Sequence, residues 1–194
     1  MERNAAIIQE YFNDRAAGWD AHSPFNPQKM TTVLSLCDIH PGSEILDVGC
    51  GTGSLEPLLL EYHPKRILGV DFASNMISVA RQKLSRPDVT FMCGDIFELK
   101  GYLFDQCFVM NTFPHILRPV EFIEHLASLL RPGGRLTISH SQGKKTMDAT
   151  HADVKHLNLP LLPGQGLLNI MKAYFRMDIL IDNNLFFVVS GTRL

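Results

Sequence analysis

The chain has few of the features that mark a specialised role. It has one Trp and four Cys in 194 residues. Cys37, Cys50, Cys93 and Cys107 show neither CxxC spacing nor the density of a disulfide scaffold, which argues for free thiols in a reducing compartment. An excess of one charge is missing too: 18 Lys and Arg stand against 20 Asp and Glu, with a pI near 6.4. That balance leaves no concentrated basic surface of the kind that attracts nucleic acid, so a nucleic-acid partner is disfavoured. No apolar run approaches the length of a membrane span, and the amino terminus is charged from Glu2 onward with no signal-type apolar core. The expectation is a cytoplasmic protein. Repeats and low-complexity segments are absent as well.

What is present describes an ordinary globular protein, 45% hydrophobic and 20% charged. Its length suits a single domain over residues 1–194 with a substantial core, and is too short for a cofactor domain plus a full-sized substrate domain. Short β-rich apolar runs, at 44–48, 66–70, 89–93, 104–110 and 135–140, alternate with helical patterns. Such alternation predicts a parallel sheet flanked by helices. Ser74 is the expected N-cap of a helix reaching Leu84, and another helix should run from Pro119 to before Pro132. Two helices, at 4–13 and 27–37, precede the first strand. After the fifth come a polar, His-containing insertion, a helical pattern at 164–174, and β-like runs at 177–181 and 185–190. Asp182, Asn183 and Asn184 between those runs are turn formers, which predicts an antiparallel hairpin.

The strongest local signal is EILDVGCGTG, residues 44–53, a buried-strand pattern running into Gly49, Gly51 and Gly53. Alternating glycines allow a tight turn and close backbone approach to a ligand at the carboxyl end of a strand. Asp71, in RILGVDFAS, stands about 20 residues from that loop at the end of the next strand, where an acid can take both ribose hydroxyls of a nucleoside cofactor. Its bland reading is a helix-capping or loop acid.

This loop resembles the first motif of the class I S-adenosylmethionine-dependent methyltransferases, and later segments resemble that family in the same order. Met92-Cys93-Gly94-Asp95-Ile96 is similar to its adenine-binding segment, and Leu129-Leu130-Arg131-Pro132-Gly133-Gly134-Arg135-Leu136 to its turn into the fifth strand. The final hairpin resembles its reversed seventh strand. The resemblance spans residues 11–194 and implies a Rossmann-like, doubly wound, mostly parallel seven-stranded α/β sheet with S-adenosyl-L-methionine as cofactor. It implies that Asp47, Gly49, Cys50, Gly51 and Gly53 face the methionine portion, Asp71 the ribose, and Phe72 and Met76 the adenine face. Gly94, Asp95 and Ile96 complete the adenine pocket, and Asn111 is counted with the cofactor set. Phe12 and Trp19 match aromatic positions of a helical lid over residues 1–40, and could equally be core anchors. Residues 141–163 would form an insertion over the active-site edge. Gly133 and Gly134 are read as structural, while Gly101 and Gly143 have no assignable role.

A sulfonium methyl is already activated, so transfer needs chiefly an in-line nucleophile, a suitable protonation state and exclusion of water. After the fourth strand, Asn111-Thr112-Phe113-Pro114-His115 lacks the Asn/Asp-Pro-Pro-aromatic pattern associated with amino groups of bases or protein glutamines. The resemblance is closer to the ubiquinone/menaquinone-biosynthesis-like, small-molecule branch, and implies a small-molecule acceptor. Its identity and the oligomeric state are not legible. His115 and His140 are the acid/base candidates at neighbouring strand ends, set against loop packing and strand-end hydrogen bonding. With His22, His151 and His156, and with Asp148 and Asp153 nearby in sequence, they form a candidate metal chamber, although no HxxxH or HExxH motif fixes coordination. Two alternatives stand beside methyl transfer: a cofactor-binding sensor, because binding and using a methyl donor are separable, and a nicotinamide-dependent oxidoreductase.

Overall fold

The computed structural model describes residues 2–23, 25–143 and 162–194. One seven-stranded sheet forms its centre, in the order β3-β2-β1-β4-β5-β7-β6. The strands are β1 (Glu44–Val48), β2 (Arg66–Asp71), β3 (Val89–Cys93), β4 (Phe104–Met110), β5 (Leu130–His140), β6 (Phe175–Asp182) and β7 (Phe187–Arg193). The first five pair in parallel, and β7 runs antiparallel between β5 and β6. The doubly wound sheet and the reversed hairpin are those expected from the sequence.

Seven helices flank the sheet among the described residues: α1 (Glu2–Arg15), α2 (Trp19–His22), α3 (Pro27–Ser35), α4 (Glu56–Leu60), α5 (Ser74–Lys83), α6 (Pro119–Ser128) and α7 (Gly164–Met171). None is long and apolar enough to cross a membrane. α3 starts where Asn26 accepts a hydrogen bond from the Lys29 amide and Pro27 fills a first-turn position that needs no donor.

Strand alternation divides the core. Leu46, Val48, Leu68, Val70, Cys107, Val109, Leu136 and Ile138 pack toward α6 and α7. Ile45, Ile67, Phe108 and Val188 pack on the other face, against Met30, Val33 and Leu34 of α3, Leu59 of α4, and Ile77 and Ala80 of α5. β1 lies at the middle of the sheet with all five residues buried. Its pairing with β2 on one side and β4 on the other marks where the connections change direction. Ligands of open α/β sheets bind at the carboxyl ends of strands flanking such a point.

Several local expectations need correction. Ser74 does not cap α5: Ala73 holds the N-cap position, and its amide donates to the Asp71 carboxylate at 2.8 Å. No side chain caps the helix; the Asp71 carboxylate instead fixes the turn that leads into it. The stretch after α1 winds into a 3-10 turn (Ala16–Gly18) and α2 rather than a plain connection. α4 went unanticipated because five residues are too few to display a helical period. β5 begins at Leu130, so Gly133 and Gly134 lie inside an irregular strand start rather than before it. A Cβ on Gly134 would approach the Arg131 carbonyl to 2.9 Å, which supports the structural reading. Gly143 does have a role: a Cβ there would lie 2.1 Å from the Asn183 carbonyl, so the chain after β5 passes tight against the β6–β7 turn.

Candidate active site

At the carboxyl edge of the sheet lies a cavity of about 540 Å³, of a size that takes a small molecule. Its floor is the loop after β1, where Gly49, Gly51 and Gly53 have φ of 72°, 55° and 75°. At Gly49 both left-handed backbone and space demand glycine, since a Cβ would lie 2.4 Å from Thr112. Thr112 also donates a hydrogen bond to the Gly49 carbonyl at 3.3 Å, joining the loops after β1 and β4. A Cβ at Gly51 or Gly94 would meet no protein atom within 4 Å, and both residues line the cavity, so bare backbone faces space a ligand can take. Gly53 does not line it: a Cβ there would run into Phe91 and Ala80, and the residue serves packing under the loop.

Asp47, Gly49, Cys50 and Gly51 line one side of the cavity, and Asp71, Phe72 and Met76 another. Asp95 and Ile96 stand beside Gly94 after β3. Asp71 is 8% exposed and accepts from the Gly51 and Ala73 amides, one with each oxygen. Burial raises its pKa, and those two amides oppose the rise. Each carboxylate oxygen has a second lone pair. Asp95 accepts from the Phe97 amide at 3.0 Å and is fixed at the adjoining rim.

The amino-terminal helices cover the cavity from above. The Phe12 ring meets Trp19 at 5.4 Å, Phe72 at 6.4 Å and His115 at 4.9 Å, edge to face. Gln9 donates to the Phe72 carbonyl at 2.6 Å, and Asn13 accepts from the Asn75 amide at 2.9 Å. Asp20 accepts from Thr52 at 2.5 Å and pairs with Lys83 at 2.5 Å. Burial works against ionisation of Asp20, but the hydrogen bonds from Lys83 and Thr52 outweigh it and hold the carboxyl below its ordinary range. These polar contacts were invisible in the sequence because their partners lie tens of residues apart.

His115, after β4, and His140, ending β5, both line the cavity. His140 is fully buried, with its ring against Phe187 at 5.5 Å. Asn111, with φ of 56°, accepts from the Ser141 amide at 2.8 Å and so links the ends of β4 and β5. Of the candidate metal set, His115 and His140 share the cavity lining. His22 is exposed, lies outside the cavity lining, and contacts the Gly18 carbonyl of its own segment at 3.0 Å. His151, His156, Asp148 and Asp153 fall outside the described residues. Among the described residues no three His, Cys, Asp or Glu are grouped to hold a metal ion.

Sequence reasoning missed Glu56. It is 0% exposed on α4 and lies against Asp47, itself 1% exposed. Burial pushes both carboxyls upward; Glu56 further hinders ionisation of Asp47, whereas a hydrogen bond from Asp47 favours the ionised form of Glu56. The available signal was one acid in an otherwise apolar stretch, Leu55 to Leu60. Burial also raises the Cys50 thiol well above its ordinary value, consistent with a small loop residue rather than a nucleophile.

Comparison with known proteins agrees with this geometry. Residues 45–134 match a family described as a methyltransferase domain. The malonyl-[acyl-carrier protein] O-methyltransferase of Anoxybacillus flavithermus is 33% identical over 147 residues, 75% of this chain and 56% of the relative. The ubiquinone biosynthesis O-methyltransferase of Coxiella burnetii is 33% identical over 137 residues, 69% and 57% of the two chains. This chain thus spans less than two thirds of those relatives. The N-methyltransferase NodS of Bradyrhizobium japonicum, solved with S-adenosylhomocysteine, superimposes with a TM-score of 0.74 at 17% identity over 96% of this chain and 98% of its own. The family match and the relatives together support a class I S-adenosylmethionine-dependent methyltransferase. The family's cofactor is S-adenosylmethionine, and the glycine-floored cavity fits it.

Proposed function

We propose that the protein transfers the methyl group of S-adenosylmethionine to an oxygen atom of a small-molecule acceptor by in-line displacement. The observation that carries this reading is one cavity lined by both the glycine loop with Asp71 and the imidazoles of His115 and His140. Bound cofactor supplies a methyl group on a positively charged sulfur. The protein's own part is to hold and orient, and to accept a proton. Asp71 takes the ribose hydroxyls with its remaining lone pairs. Asp95 and Ile96 receive the adenine, and the loop after β1 takes the amino-acid portion. His115 or His140 accepts the proton of a hydroxyl acceptor, whereas a carboxylate acceptor attacks already ionised. Phe12 and Trp19 form part of a lid that excludes water. An oxygen acceptor is favoured because both relatives described above are named O-methyltransferases. The oxidoreductase alternative loses its support with the family match.

Methyl-labelled cofactor and a panel of phenols, carboxylic acids and amines test the reading. Label should move to an oxygen acceptor, and His115→Ala or His140→Ala should slow transfer about 10²- to 10⁴-fold if that imidazole is the base. Transfer to amines alone would overturn the oxygen assignment. Transfer to none, with cofactor bound, would favour the sensor.

A further inference from the structure

Four carboxylate oxygens lie beneath the glycine loop with no proton donor reaching them among the described residues: Oδ1 and Oδ2 of Asp47, and Oε1 and Oε2 of Glu56. Their placement follows from strand alternation. Asp47 lies on the same face of β1 as Ile45, toward α4. Its neighbour across the ladder on β2 is Gly69, and the missing side chain there leaves room for Glu56. A Cβ at Gly69 would lie 2.8 Å from Glu56 Oε1. The two carboxyls therefore meet, within hydrogen-bonding range of each other.

Two ionised carboxylates have no hydrogen to share and repel, so a bond between them requires one proton. The surroundings reinforce that requirement. Asp71 on β2 adds a second negative field on Asp47. Cys50 in the loop and Cys107 on β4 are buried thiols held neutral. Lys83 on α5 reaches Glu56 only through its field, its ammonium being engaged by Asp20. Asp47 also lines the cavity, whereas Glu56 stands behind it.

We propose that Glu56 is a positioning residue for the cofactor's α-ammonium: Glu56 and Asp47 share one proton in the free protein and release it to solvent when the ammonium arrives beside Asp47. Release takes the pair from one negative charge to two, and the ammonium supplies the positive charge that makes the second tolerable. The inference rests on the cofactor reading above. It makes binding proton-linked, and confines that linkage to ligands carrying the amino-acid portion.

Two measurements decide it. Infrared spectra of the ligand-free protein near neutral pH should show a buried protonated carboxyl that is absent in Glu56→Gln and in Asp47→Asn. Calorimetry should show S-adenosylhomocysteine releasing a proton, read from enthalpies in buffers of different ionisation heat. Its affinity should rise by up to about tenfold from about pH 6 to about pH 7. Methylthioadenosine lacks the amino-acid portion and should bind without proton release, and Glu56→Gln should bind both compounds with no pH slope. A missing infrared band overturns the proposal, as does a buffer-independent enthalpy for S-adenosylhomocysteine. Failure of both compounds to bind, with the band present, overturns the cofactor reading and this role with it. Should Glu56→Gln not fold, Asp47→Asn and the native protein's own band and buffer dependence still decide.

Discussion

Asp71 accepts a hydrogen bond from the Gly51 amide at 2.9 Å, across a sequence separation of 20 residues. The acid assigned to the ribose thus also sets the loop that lies across from it. Structural and ligand-binding roles of this residue coincide, because the loop must be shaped before it can receive anything.

Replacing Asp71 with Ala should therefore do two things. It removes the proposed ribose contacts, at a cost of about 2–4 kcal/mol in cofactor binding. It also frees the Gly51 and Ala73 amides, which should raise their hydrogen exchange in the ligand-free protein. Calorimetry and exchange read the two effects separately, and unchanged affinity would remove the ribose assignment.

Gly49→Ala should abolish cofactor binding and destabilise the fold. The new Cβ meets Thr112 at 2.4 Å, and the backbone sits at a φ of 72° that side chains disfavour. Adding Thr112→Ala should restore part of the stability by removing two of the three crowding atoms. The residual left-handed strain should still cost about 1 kcal/mol. Thermal denaturation of the single and double variants checks this.

Asp20→Ala should loosen the amino-terminal cover. Loss of the contacts to Lys83, Thr52 and Ser54 removes the polar link between α2 and the glycine loop. Hydrogen exchange at 11–23 should increase in the ligand-free variant, and cofactor should restore protection through Phe12 and Trp19. No change on cofactor addition, in native protein or variant, would count against a moving lid.

Acid stability should depend on Glu44. Its carboxylate pairs with Lys65 at 2.7 Å, Arg66 at 2.8 Å and Arg131 at 3.2 Å. The hydrogen bond from Lys65 leads in holding its pKa down, from 4.5 to about 2, against burial and with help from Arg131 and Arg66. A depressed folded-state pKa means stability that is present above 4.5 and lost as pH falls toward 2. Solvent screening of the exposed partners reduces the contribution to about 1–2 kcal/mol. Urea denaturation of Glu44→Gln and native protein should differ by that amount near neutral pH and converge near pH 2.

What was legible in the sequence was whatever repeats or is punctuated. Buried strands read as apolar runs, the loop after β1 as spaced glycines, and the hairpin as Asp182-Asn183-Asn184 between two β-like stretches. Cofactor-side residues follow from those signals because a strand's end fixes where its next residue stands. The rest depends on meetings across the fold. Glu56 gains its meaning from Gly69 and Asp47, Asp20 from Thr52 and Lys83, and Gly143 from the Asn183 carbonyl. Ser74 misled because it is already the first helical residue, with Ala73 at the N-cap position and no side chain capping the helix. His22 shares a segment with Trp19, yet of the two only Trp19 lines the cavity.

Lys29 donates to the Ser141 carbonyl at 3.0 Å and to the Leu185 carbonyl at 3.1 Å, the latter across 156 positions. With Gly143 against Asn183, this seats the rim after β5 on the turn between the last two strands. A growing chain makes α3 and the glycine loop early, yet this rim has no backing until Leu185 has emerged from the ribosome. Contacts of such separation form late because the intervening chain must first be closed. The loop that would hold the methyl donor can therefore be shaped during synthesis well before the wall beside His140 is complete, so the newborn protein should gain a nucleotide-shaped hollow before it gains a finished reaction chamber.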